Sequence, residues 1–267
     1  MKYNILNDFR RYLNNKYNKN TADTYYFAVD KILKNHQFGD LSEVNFGSLG
    51  IDKIKGNKNE FSAIKNGLKN LNKFSSDFKI PKDDFFKEIS KKKRNFIKSK
   101  GKEINLDKTR RKINATKNDK YKLAFRLAMV SGLRVSELSQ LSKKDLKIDS
   151  DANKIDVFIE RGKGGKKGNV LSMEDPYLCQ KLSGYIEKLN NGDKIFPAKQ
   201  SLKNKAKSLG IEMHDLRRIF AITYRKNLMN EGVGILQANE ATQNALRHTR
   251  FSTTKRYLFN KKLRFKR

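Results

Sequence analysis

Apolar residues recur at helical spacing along most of this 267-residue sequence, and the period breaks to two-residue alternation in one place only. Helices that bury such stripes must pack on one another, which leaves room for a single small β element. Leu6, Phe9 and Leu13 mark a first helix. A second opens at Asn20 and Thr21, good N-cap residues, and carries Ala22, Tyr25, Val29, Ile32 and Leu33. A third starts near Glu60 with Phe61, Ile64, Leu68 and Leu71 on one face, and the stretch Phe46–Gly50 before it reads as loop with one short helix at most. Tyr121–Val130 is a dense helix ending at Ser131 and Gly132, followed by another from about Arg134 through Leu138 and Leu141. Lys154–Ile159 (KIDVFI) then alternates like a strand, Gly162–Gly168 is a Gly/Lys turn, and Asn169–Ser172 returns, which makes a β-hairpin. Helices follow at Pro176–Leu189, Leu202–Leu209, His214–Met229 and in a last group from about Glu240 to Phe259. The expected fold class is mainly α with a small β-hairpin or sheet.

Between Lys87 and Lys102 (KEISKKKRNFIKSKGK) apolar residues are sparse and like charges crowd together, so this segment is expected to be extended or poorly packed unless bound, either as a linker crossing a phosphate backbone or as a solvated charge run. It divides the chain into a helical domain over 1–90, a basic linker over 91–105 and a second domain over 106–267.

The chain carries 60 Lys+Arg against 28 Asp+Glu, a formal net charge of +32. Self-repulsion at that density opposes compaction unless a polyanion is present, so a nucleic acid is the natural partner. A Lys- and Asn-rich compositional bias would raise Glu as well as Lys, and so leaves the net excess unexplained. No apolar run approaches the length of a membrane span, and Met1–Asn4 opens no signal-peptide core. One cysteine, Cys179, allows no intramolecular disulfide and no Cys-rich zinc site. His36, His214 and His248 fall in no metal-binding spacing, and no Walker-type phosphate loop occurs. The expectation is a cytoplasmic protein that needs no cofactor, metal or ATP and contacts no membrane.

Four short features stand out in the second half: GLRVSEL (Gly132–Leu138), RGKGGKKG (Arg161–Gly168), HDLRR (His214–Arg218) and LRHTRFSTTKRY (Leu246–Tyr257). Each is weak alone. Their order is specific: an Arg after a Gly turn, a hairpin Lys, His-x-x-Arg, then a His with a Tyr nine residues on. This arrangement resembles the tyrosine recombinases, the phage-integrase family, over about Leu106–Phe259. More loosely, the helix start at Asn20 and Thr21 followed by Tyr25 is similar to the family's core-binding domain.

A tyrosine hydroxyl attacking a phosphodiester passes through a pentacoordinate phosphorus whose non-bridging oxygens gain negative charge, and fixed cations can stabilise it. Arginine suits that task because its planar fork contacts two oxygens and stays protonated. The resemblance implies that Tyr257 is the nucleophile, that Arg134 and Arg217 clamp the phosphate, and that His214 assists removal of the tyrosine proton. His248 would donate a hydrogen bond to the phosphate. Lys163, in the Gly-Lys-Gly position, would protonate the departing 5′ oxygen, with Lys166 and Lys167 as rivals. Glu137, one turn after Arg134, would orient a catalytic group or form a simple salt bridge.

The implied activity is site-specific DNA recombination through a 3′-phosphotyrosyl intermediate, for integration, excision or resolution in a mobile element or a chromosome. The implied partners are double-stranded DNA and three further copies, a homotetramer on two DNA sites, with the two domains and the basic linker clamping the duplex. A type IB topoisomerase and a non-catalytic architectural DNA-binding factor are the alternatives. The sequence departs from the family pattern at Arg247, where a Gly is common, and in the separation of Arg217 from His248, lengthened by a turn at Glu231–Gly234. With no room before the first helix for an arm-binding domain, the simple Xer or Cre type is expected. The basic tail after Tyr257 (LFNKKLRFKR) would pack on a neighbouring subunit or touch phosphate.

Overall fold

The computed structural model describes residues 5–35, 56–75, 84–95, 104–162 and 165–259. Two units divide the chain, Met1–Ser99 and Lys100–Arg267. The stretch 46–50, His36, the linker residues 96–103, Lys163 and the tail after Phe259 lie outside the described residues.

In the first unit, α1 (Ile5–Lys16), α2 (Lys19–Asn35), α3 (Lys58–Phe74) and α4 (Asp84–Asn95) follow the apolar stripes. Phe9, Leu13, Val29, Ile32, Phe61, Ile64, Leu68 and Leu71 form one core, each contributing about 1.5–3 kcal/mol by leaving water. A capping box starts α3: Asn57 accepts from the Glu60 backbone N–H at 3.1 Å while the Glu60 carboxylate accepts from the Asn57 N–H at 2.6 Å. Gly67 lets α2 approach closely, since a Cβ there would stand 2.8 Å from the Tyr25 carbonyl.

The charged segment expected to be extended is helical as far as Asn95. Phe86 and Ile89, three residues apart, bury against the core of the first unit while the flanking Lys87 and Lys91 face solvent. Two well-spaced apolar anchors outweigh the local charge density.

The second unit is α5 (Leu106–Asn114), α6 (Asp119–Ser131), α7 (Val135–Leu138), β1 (Leu146–Asp149), β2 (Lys154–Ile159), β3 (Gly168–Leu171), α8 (Pro176–Ile186), α9 (Lys199–Ser208), α10 (Met213–Asn230), α11 (Ile235–Ala245) and α12 (Phe251–Leu258). Its core joins α6 (Leu123, Phe125, Leu127) to α10 (Leu216, Ile219) and to the inward face of β2 (Ile155, Val157, Ile159). The expected hairpin is the outer half of a three-stranded antiparallel sheet, β1-β2-β3, with Val157 opposite both Leu146 and Val170. The helix expected through Leu141 is a single turn that ends at Leu138. Among the described residues, no helix is long and apolar enough to cross a membrane.

Candidate active site

Gly132 closes α6 in the left-handed conformation (φ +65°), and a Cβ there would collide with the Phe220 ring. This close turn brings the α6 end onto α10 and delivers Arg134 to the start of α7. Arg217, in the first turns of α10, is 1% exposed. Its Nη1 donates to the Gly132 carbonyl and its Nη2 to the Leu246 carbonyl. One guanidinium therefore pins the end of α6 and the end of α11 to α10, and its Nε has no hydrogen-bond partner among the described residues. Burial, with Arg134 nearby, pushes the Arg217 pKa down to about 10, so the group stays cationic near neutrality.

Glu137 is 2% exposed and holds Arg134 twice: its carboxylate accepts from the Arg134 backbone N–H and from Arg134 Nη1, both at 2.8 Å. Burial opposes its charge, yet the Arg134 N–H and the Arg247 and Arg134 guanidiniums hold the Glu137 carboxyl below its ordinary range. Glu137 thus orients Arg134, and it forms a salt bridge as well.

Tyr257, on α12, lies with its ring centroid 5.2 Å from those of both His214 and His248. Its hydroxyl stands 2.7 Å from His214 Nε2. Burial of the inner side of His214, then Arg218, Arg217 and Arg134, lowers the His214 pKa, although one edge of the residue is open to solvent. A neutral ring in the tautomer that leaves Nε2 bare is placed to accept a proton from the Tyr257 hydroxyl.

His248 is oriented from both sides. Its Nε2 is 3.3 Å from Arg217 Nη2 and its Nδ1 is 3.0 Å from Thr254 Oγ1. Arginine can only donate, so Nε2 is the acceptor and Nδ1 carries the proton. Burial and the surrounding cations, Arg217 first, push the His248 pKa down to about 4. The sequence reading missed Thr254, which is fully buried six residues after His248.

The structure therefore brings together Arg134, Glu137, His214, Arg217, His248 and Tyr257. Of the hairpin lysines, Lys166 Nζ donates to Thr249 Oγ1 at 2.9 Å, beside His248, whereas Lys167 lies 3.9 Å from Glu160. A cleft of about 640 Å³ opens next to Arg134, His214 and Arg217, walled by Lys199, Lys203 and Lys207 of α9. Their four-residue spacing puts all three on one helix face. That spacing was visible in the sequence, but among so many lysines it carried no signal. Among the described residues, no His/Cys/Asp/Glu group could hold a metal ion.

The sequence model of the phage integrase family matches residues 103–264. Tyrosine recombinase XerA of Saccharolobus solfataricus is 29% identical over 162 residues, 58% of this chain and 50% of that protein. The chain thus spans about half the length of the curated relative it matches. A lambda integrase(75-356) dimer bound to a COC′ core site shares the fold, with a TM-score of 0.69 and 15% identity over 98% of this chain and 96% of that one. A lambda integrase tetramer bound to a Holliday junction aligns with a TM-score of 0.61 and 14% identity over 98% of this chain and 78% of that one. Since the family match runs through all four motifs and more than half of the sequence, the chain belongs to the phage integrase family.

Proposed function

We propose that this protein is a site-specific DNA recombinase of the tyrosine type. The observation that carries the reading is the Tyr257 hydroxyl at 2.7 Å from His214 Nε2, with Arg217 and Arg134 close enough to lower the His214 pKa. In the first step Tyr257 Oη passes its proton to His214 Nε2 and bonds to phosphorus. The bond from phosphorus to the 5′ oxygen breaks, leaving a 3′-phosphotyrosyl link. Lys163 protonates the departing 5′ oxygen, an assignment that rests on its motif position. Arg134 and Arg217 stabilise the charge that builds on the non-bridging oxygens. When a phosphate draws Arg217 Nη2 away, His248 Nε2 is free to take up a proton and donate to the same phosphate. Rejoining is the reverse attack by a 5′ hydroxyl, so the bond energy is kept throughout.

The proposed substrate is double-stranded DNA, recombined by a homotetramer on two sites and placing the protein's work in the cytoplasm. The excess of basic residues supports the DNA partner. The DNA-bound dimer and junction-bound tetramer of lambda integrase, which share the fold, support the assembly. The helical domain over 1–90 and the linker over 91–105 would add DNA contacts.

A pool of nicked duplexes with randomised cores tests this directly. The nick lets the short 5′ fragment escape, so the wild-type protein accumulates a denaturant-resistant adduct with a defined sequence, and Tyr257→Phe accumulates none. An equal adduct from Tyr257→Phe would refute the nucleophile. Relaxation of supercoiled plasmid with no sequence preference in the adducts would point to a topoisomerase instead.

A further inference from the structure

Arg247 stands where the motif commonly has glycine, and its placement is costly in two ways. Its backbone is left-handed (φ +53°), a conformation that favours glycine. Its side chain is 13% exposed, with Nη2 only 2.7 Å from Glu137 Oε2. That pair is close enough to be an ion pair but poorly aligned: Nε, Nη1 and Nη2 are all buried and none makes a well-directed hydrogen bond to a described residue. A buried cation with so few directed contacts is expensive, and the charges around it are where a compensating role would lie.

Its neighbours indicate where. The Glu137 carboxylate has Arg134 on one side and Arg247 on the other, and its charge also acts on Arg217. If Arg134 alone faced Glu137, the contact that orients Arg134 would also cancel its charge. With Arg247 present, the group of two arginines and one carboxylate keeps a net positive charge for a phosphate. Arg247 Nη1 also packs under the hairpin turn, 3.6 Å from where a Cβ at Gly162 would sit. That turn closes with the Gly162 N–H donating to the Lys166 carbonyl at 3.0 Å.

We propose that Arg247 is a positioning residue and the counter-charge of Glu137: it lets Glu137 orient Arg134 without neutralising it. Its own nitrogens are sealed from solvent, so its effect reaches a phosphate through Arg134 and not by direct contact. The proposal rests on the reading of Arg134 as a phosphate clamp.

The test uses the full chain and the duplex recovered from the nicked pool, measuring DNA affinity and single-turnover adduct formation separately. Arg247→Gly suits the local backbone, so the fold should hold. Adduct formation should fall about 10- to 100-fold, the loss typical of removing an outer support of a reactive site, while affinity stays within about threefold, since a buried group contributes no phosphate contact. Adding Glu137→Gln to Arg247→Gly should raise the rate in part, because the one amide oxygen keeps one of the two contacts to Arg134 without cancelling its charge. Arg247→Lys keeps the charge and should cleave faster than Arg247→Gly. Wild-type cleavage by Arg247→Gly would overturn the proposal, as would affinity and rate falling together, or no recovery on adding Glu137→Gln. If Arg247→Gly unfolds, Arg247→Lys and Arg247→Met decide, since both keep the buried bulk and only lysine keeps the charge: cleavage by Arg247→Lys no faster than by Arg247→Met would overturn it. Arg134→Ala, run alongside, separates the two ideas, since its cleaving like wild type would remove the clamp itself.

Discussion

Arg217→Lys separates what Arg217 does for the fold from what it does for the reaction. The guanidinium is 1% exposed and donates to two carbonyls on different elements, that of Gly132 at the end of α6 and that of Leu246 at the end of α11. A lysine ammonium is a single point donor on a flexible stem and cannot span both. One carbonyl would be left buried without a partner, costing about 1–3 kcal/mol. At about 2–4 °C per kcal/mol for a chain of this size, the melting temperature should drop by roughly 2–12 °C. The reaction should suffer more. Losing one preorganised donor to a developing oxyanion costs about 100- to 1000-fold, so adduct formation should fall by that factor at a temperature where the variant is folded.

Differential scanning calorimetry and single-turnover adduct formation measure the two effects on the same preparation. An unchanged melting temperature would mean that the carbonyl contacts contribute nothing. Cleavage within about threefold of wild type would mean that Arg217 is a structural tie and not a clamp, since a true transition-state donor is worth far more.

Three further outcomes follow from the site. His248, with its pKa pushed down to about 4 from an ordinary 6.5, binds its proton less readily in the folded chain than in the unfolded one, so stability should be constant above pH 6.5 and decline as pH falls toward 4. The full linkage value is about 3 kcal/mol, an upper bound because the ring is partly exposed; urea denaturation from pH 7 to 5 measures the slope, and His248→Asn should reduce it, leaving the part that His214 contributes. Thr254→Val leaves His248 Nδ1 without its partner and should slow adduct formation about tenfold with DNA affinity kept, and an unchanged rate would remove Thr254 as an orienting residue. Replacing Lys199, Lys203 and Lys207 together by Gln should reduce the slope of log affinity against log salt by up to roughly 0.9 per lysine, and an unchanged slope would place the phosphate track elsewhere.

The helices of both units were legible because their stripes are strong: Phe61, Ile64, Leu68 and Leu71 all lie in the buried face of α3. Elements without a stripe were not. The β1 strand (LKID) is four residues long and its partner determines it, while α11 begins at Ile235 and Leu236, both exposed and so invisible to a burial pattern. The charged run 87–95 was misread because two anchors, Phe86 and Ile89, decide its state through tertiary contacts.

The site divides along a similar line. Arg134, His214, Arg217, His248 and Tyr257 could be found because each is tied to a fixed place in a motif, whatever surrounds it. Thr254 and Lys199, Lys203 and Lys207 could not, because their roles depend on which helix ends meet. Arg247 is the instructive case. In the sequence it is only a departure from a glycine, with a slight effect on backbone approach as the natural reading. Placed in the fold, its charge faces a carboxylate that already holds Arg134. Whether a departure weakens a site or adjusts it depends on the net charge around it, and that sum exists only once α7, the hairpin turn and the end of α11 have come together.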